Sequence, residues 1–190
     1  MSAVRARRWT RQEYDRMIEA GVLTPDDRVE LLDGEILAMT PQGSPHATAV
    51  LLVQDALRAA LGRDVHIRTQ LPLALGLDSE PEPDVAVVAG SVRDYRDAHP
   101  QSALLVVEVA DATLAYDRDR KGSLYARTGV PEYWIANLAE TCIEVHRDPI
   151  VRPHAQFGWH YRTVERFGAG DSITPLSLPS RSIAVADLLP

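Results

Sequence analysis

The chain has 190 residues, with 20 basic and 27 acidic side chains and a formal charge of −7. Its 45% hydrophobic and 25% charged residues suit a globular protein with a buried core and exclude disorder of the whole chain. The single cysteine, Cys142, excludes an internal disulfide and a cysteine-based metal knuckle, and the acidic balance argues against a general duplex-coating protein.

A length of this order predicts one domain over 1–190, with its core over about 28–147. Near the N-terminus Arg5, Arg7 and Arg8 are followed by no apolar segment of the secretory kind. With one cysteine, that predicts a cytoplasmic protein. The longest apolar stretch, Ala103 to Ala110, is broken by Glu108 and is too short to span a bilayer. No membrane partner is expected.

Thr10-Arg-Gln-Glu13 has the form of a capping box and Gly21 of a helix stop, predicting a short N-terminal helix. Asp33-Gly34, between Val29–Leu32 and Glu35–Ala38, predicts a β-hairpin. Ser44-Pro45 reads as an N-cap and first helical residue. The apolar positions Ala47, Val50, Leu51, Leu57 and Leu61 then recur at helical spacing up to Gly62. Val65 to Leu75 reads as extended, with Pro72 placing it at an edge or bulge. Asp84–Val88 and Leu104–Val109 are apolar runs of strand length, covered on both faces. Tyr116 to Thr128 reads as a helix stopped by Gly129-Val-Pro131. Glu132–Asn137 and Cys142–His146 read as strands, with one or two more around Trp159 to Phe167. The order predicts an α/β fold: a mixed sheet flanked by helices, preceded by a helix and a hairpin.

Three charged residues do not fit a solvated role. Glu108 lies inside an apolar strand, where an ionised carboxylate is costly unless paired, protonated or bound to a metal. Asp84 opens the other apolar strand, and neighbouring strands would bring the two acids together at one sheet edge. A divalent cation would hold both ionised. An arginine partner for Glu108 and a loop-capping role for Asp84 is the alternative. Lys121 is the one lysine beside 19 arginines, on a helical stripe with Leu124, Tyr125 and Thr128 that should face the sheet. Its neighbours Asp117, Arg118, Asp119 and Arg120 read as the solvated side.

An Asp, a Glu and a Lys in this relation resemble the active site of the PD-(D/E)XK nuclease superfamily. There the acids bind Mg²⁺ and the lysine positions or activates the attacking water. Pro83-Asp84 and Val107-Glu108-Val109 carry the match, but the usual lysine position is Ala110. Further blocks, in order, resemble the Uma-type family of restriction endonucleases. They are Glu30-Leu-Leu-Asp-Gly-Glu35, Pro41 to His46, Glu80-Pro-Glu-Pro-Asp84, Tyr116-Asp117 to Lys121 and Gly129-Val-Pro-Glu-Tyr-Trp134. In that family the lysine is displaced onto the following helix, where Lys121 stands.

The resemblance implies a restriction-endonuclease-like fold and a Mg²⁺- or Mn²⁺-dependent cleavage of DNA. Asp84 and Glu108 would be metal ligands and Lys121 the catalytic lysine. Additional candidates are Glu30 as a ligand, His46 for proton transfer and Gln70 for substrate orientation. The segment Arg147 to Arg166 is a candidate phosphate-contacting surface. Cutting two strands with one small site would favour a homodimer. Two alternatives are a catalytically weak nucleic-acid or protein-binding module that keeps the fold, and a phosphohydrolase of small nucleotides.

Overall fold

The computed structural model describes residues 6–62 and 65–190; Arg5 of the N-terminal basic group lies outside them. Helix α1 spans Arg11–Glu19. Its capping box forms as predicted, with the Thr10 hydroxyl accepting from the Glu13 N–H and Glu13 reaching back to the Thr10 N–H. Strands β1 (Val29–Leu32) and β2 (Glu35–Ala38) make the hairpin, with Asp33 at φ 50° and Gly34 at φ 75°. That pair of left-handed residues is what a two-residue type I′ turn requires.

Gly34 is also a point of close approach. Trp9 N–H donates to Gly34 O at 2.8 Å, and a Cβ at residue 34 would lie 2.8 Å from Arg8 Cβ and 3.0 Å from the Trp9 backbone. Gly34→Ala is therefore expected to destabilise by more than about 1 kcal/mol, lowering the thermal midpoint by a few degrees. An unchanged midpoint in calorimetry would contradict this packing.

Helix α2 runs over Ser44–Ala60. Gly43 rather than Ser44 is its N-cap, and Pro45 is tolerated in the first turn because N–H groups there lack intrahelical partners anyway. The main sheet has six strands in chain order: β3 (Val65–Thr69), β4 (Val85–Ala89), β5 (Leu105–Ala110), β6 (Glu132–Asn137), β7 (Cys142–Val151) and β8 (Trp159–Gly168). Only β5–β6 is parallel. A parallel neighbour requires a crossover, and the chain supplies helices α3 (Leu114–Tyr116) and α4 (Gly122–Arg127) joined by a π-helical turn over Asp117–Lys121. β3 is an edge strand, as Pro72 suggested, although it ends at Thr69.

The runs in β4 and β5 are apolar at every position but Glu108 because both faces are covered. Val85, Val87, Val107 and Val109 meet α2 through Ala49, Val50, Val53 and Leu57. Ala86, Val88, Val106 and Ala110 meet Tyr125, Ala126, Tyr133 and Ile135 on the other side. The period of two thus assigns odd positions of β4 and β5 to the α2 face and even positions to the α4 face. The core extends past residue 147. Ile173 in β9 (Ser172–Ile173), Ile183 in β10 (Ile183–Ala184) and then Val185 and Leu188 close over the α2 face. Those isolated apolar residues lie in a Pro-rich stretch with no period to reveal them.

Candidate active site

The sheet register builds the centre of the site. Val85 pairs with Val107 and Ala86 with Val106 across antiparallel β4–β5, so Asp84 and Glu108 come next on the ladder, opposite each other on the α4 face. Each carboxylate is tied to the other's strand. Val109 N–H donates to Asp84 Oδ2 at 2.8 Å, and Asp84 N–H donates to Glu108 Oε2 at 3.4 Å. Both residues are buried, 7% and 3% exposed. β4 and β5 are the second and third strands of six. Asp84 therefore stands just before β4 and Glu108 within β5, between inner strands of the sheet and not at its edge.

Lys121 reaches this pair from the crossover. The π turn is closed by Gly122 N–H on Asp117 O, and the Tyr133 hydroxyl donates to the same carbonyl at 3.1 Å. Wide turns of this kind collect at functional sites. Lys121 Nζ lies 2.9 Å from Glu108 Oε1 and 3.8 Å from Glu30 Oε1. Ala110, where the superfamily pattern has its lysine, is buried in the core. The ammonium thus reaches Glu108 from the helix packed over the strand.

The additional candidates flank the same three residues, Glu30 beside Lys121 and His46 and Gln70 beside Asp84. Glu30 accepts from Glu82 N–H at 3.1 Å, because a bridge between Leu31 and Glu80 clamps the hairpin to the loop before β4. His46, in the first turn of α2, brings Nε2 to 3.0 Å from Asp84 Oδ1. Gln42 and Gln70 each donate to that oxygen at 3.5 Å. Gln70 was expected in an extended segment, but it follows β3 with φ 52°. Its N–H donates to Pro83 O and Asp84 O, 3.2 Å each. A non-glycine residue held there is strained, and such strain clusters at functional sites.

Two residues differ in role from their sequence reading. Asp117 is 3% exposed and faces the site, not solvent, and the Thr113 hydroxyl donates to its Oδ2 at 2.5 Å. The signal was its spacing, four residues before Lys121 on one stripe. Tyr125 is core, as expected, yet its hydroxyl donates to Glu108 Oε1 at 2.6 Å. It lies four residues after Lys121.

The acids outnumber the cation they surround. Burial pushes the Glu108 carboxyl up to about 8, with the Lys121 ammonium opposing and the Asp84 and Asp117 charges adding. Burial also raises Asp117, and it raises Glu82 with help from Glu30 and Glu80. Asp84 goes the other way. Burial would raise it, but the hydrogen bond and charge of His46 and the Val109 N–H prevail and hold it below its usual range. For Lys121, burial favours the neutral amine, and the Glu108, Glu30 and Asp117 charges override it, keeping the ammonium protonated. Above these groups lies a cavity of about 480 Å³, whose walls include Arg28, Met39, His46, Asp111 and Tyr116.

An all-oxygen donor set with surplus negative charge fits a hard cation. Among the described residues no three His, Cys, Asp or Glu side chains close round one point.

The basic stretch Arg147 to Arg166 does not line the cavity. Arg147 pairs with the buried Glu132, and Arg166 with Glu140 and Glu144. Much of its charge therefore serves the β6–β8 end of the sheet. Acidic residues of the hairpin and of the loop before Asp84 are likewise paired with arginines. Asp78 pairs with Arg127, Glu80 with Arg11, and Glu35 with Arg8 and Arg120. No helix among the described residues is long and apolar enough to cross a membrane.

Comparison with known proteins fits this geometry. Among solved structures, the chain resembles one described as "a putative nuclease belonging to DUF820" from Anabaena variabilis, at 15% identity and a TM-score of 0.66, over 94% of this chain and 96% of that one. At that identity the likeness is one of fold. No match is found among curated protein sequences. Residues 11–186 match the Uma2 family, described as "Putative restriction endonuclease". With nearly the whole chain matched, the protein belongs to the Uma2 restriction-endonuclease family.

Proposed function

We propose that the protein is a Mg²⁺- or Mn²⁺-dependent endonuclease that hydrolyses phosphodiester bonds in DNA, with Asp84 and Glu108 holding the ion and Lys121 beside the attacking water. The observation that carries this reading is the facing carboxylate pair with an ammonium 2.9 Å from one of them. Family membership supports nuclease chemistry and DNA as its substrate.

Water attacks phosphorus and gives up a proton to solvent, the bond to the leaving deoxyribose oxygen breaks, and that oxygen takes a proton from solvent. A bound ion supplies Lewis-acid polarisation of the phosphate and lowers the pKa of its water. Lys121 stabilises the charge gathering on the phosphate oxygens and orients the nucleophile. His46 and the two glutamines fix Asp84 Oδ1, while Glu30 flanks the ammonium on its other side. A phosphate in the cavity would meet Arg28 at its wall. Double-strand cutting by one such site calls for two copies, so a cytoplasmic homodimer is part of the proposal.

A second reading, hydrolysis of small nucleotides, draws on the −7 charge and on the arginines committed elsewhere. One experiment separates them. Supercoiled DNA, single-stranded DNA, RNA and mononucleotides are incubated with Mg²⁺, with Mn²⁺ or with chelator, beside the Asp84→Asn variant. Nicking of DNA that needs the cation and is lost in the variant is expected. Hydrolysis confined to mononucleotides would favour the second reading, and nicking that survives Asp84→Asn would overturn the mechanism.

A further inference from the structure

We infer that Tyr125 is a positioning residue for the cation: its hydroxyl, with Lys121, occupies Glu108 Oε1, so that the carboxylate offers only Oε2 on the side of Asp84. This rests on the site reading proposed above and adds a residue that never touches the ion or the substrate.

The hydrogen bonds of Glu108 are unevenly divided. Oε1 accepts from Tyr125 at 2.6 Å and from Lys121 at 2.9 Å. Oε2 accepts only the long 3.4 Å contact from Asp84 N–H. The last torsion of a glutamate is soft, so something must choose which oxygen faces Asp84. Lysine is poorly suited, being a point charge on a flexible stem. Tyr125 is rigid. It is fully buried, and its ring lies 5.1 Å from that of Tyr133, which itself stacks with Tyr161.

The partner also sets Tyr125 apart. A buried tyrosine hydroxyl needs an acceptor, and three others here use backbone carbonyls: Tyr14 on Val29, Tyr133 on Asp117 and Tyr161 on Val130. Among the tyrosines of the described residues only Tyr125 donates its hydroxyl to a carboxylate, and that carboxylate is a proposed ligand. Anchoring a ligand through its other atom is how supporting groups tune metal sites, and losing one costs about 10–100-fold in affinity.

The test is Mn²⁺ binding to the full chain without DNA, by titration calorimetry, for the parent, Tyr125→Phe and Tyr161→Phe. Tyr161→Phe removes an equally buried hydroxyl bond away from Glu108. The expected result is Mn²⁺ affinity weakened about 10–100-fold in Tyr125→Phe and near the parent's in Tyr161→Phe. A matching shift is expected in the Mn²⁺ concentration needed for nicking. Equal affinity in Tyr125→Phe and the parent would overturn the inference and leave the cation site standing. A parent that binds no Mn²⁺ would overturn both. Should Tyr125→Phe not fold, Mn²⁺ added to the parent is expected to shift its near-ultraviolet tyrosine band, and Asp84→Asn to abolish the shift; no shift in a parent that binds Mn²⁺ would overturn the inference.

Discussion

Asp84→Asn and Glu108→Gln are each expected to slow Mg²⁺-supported nicking by about 10³-fold or more, and Lys121→Ala by roughly 10²–10³-fold. The substitutions are close to isosteric at the two acids. Asn can still accept the Val109 N–H and Gln can still accept from Tyr125, so the strands need not move. What is removed is charge at the point where a hard cation would sit. Lys121→Arg is not expected to restore the rate, because a planar fork does not replace a compact ammonium. The double variant Asp84→Asn/Lys121→Ala should be little worse than Asp84→Asn alone, since groups that act as a unit are not additive. Single-turnover rates on supercoiled DNA measure all of these. A variant at Asp84 that cuts at the parental rate would end the assignment.

The second large effect concerns stability. Glu108 titrates near 8 in the folded protein against an ordinary 4.5, so the native state holds its proton more tightly than the unfolded chain does. A carboxyl raised in this way contributes stability that is complete below about pH 4.5 and is lost as pH rises through about 8. The cation-free protein should therefore weaken across that window, on the order of 5 kcal/mol from this group. Asp84, held below its usual range, has the opposite sign and matters only on acidification. Urea midpoints against pH, in chelator, measure the slope. Glu108→Gln is expected to flatten it and to be more stable than the parent at alkaline pH. Added Mg²⁺ should do the same for the parent by binding the native state alone. A parent whose midpoint rises from neutral to alkaline pH in chelator would contradict this account.

Much of the fold was legible because its signals are local. The capping box at Thr10, the Asp33-Gly34 turn and the apolar spacing after Ser44 each formed within a residue or two. Asp84, Glu108 and Lys121 were legible for another reason: each is a charge in apolar surroundings that solvation cannot explain. That the acids would meet was legible from two apolar strands; where they meet depends on the β4–β5 register and on a crossover between parallel strands. Asp117 eluded sequence reasoning because the alternating charges around it read as the solvated face of a helix, although its spacing from Lys121 placed it on the inward stripe. Tyr125 reads as core because its ring is core; only the three-dimensional position of its oxygen gives it a second task. The terminal residues Ile173 to Leu188 carry core contacts without any period to mark them.

The two backbone ties between Asp84 and Glu108 have a consequence for when the protein can act. Each carboxylate hangs on an amide of the other's strand, so neither is aimed until β4 and β5 have annealed in their final alignment. A slip of one residue would send both acids to opposite faces. Lys121 arrives only after the crossover has packed over that finished pair. A nascent or partly unfolded chain therefore lacks the facing acids and their lysine: assembly of the sheet is itself the step that completes the site.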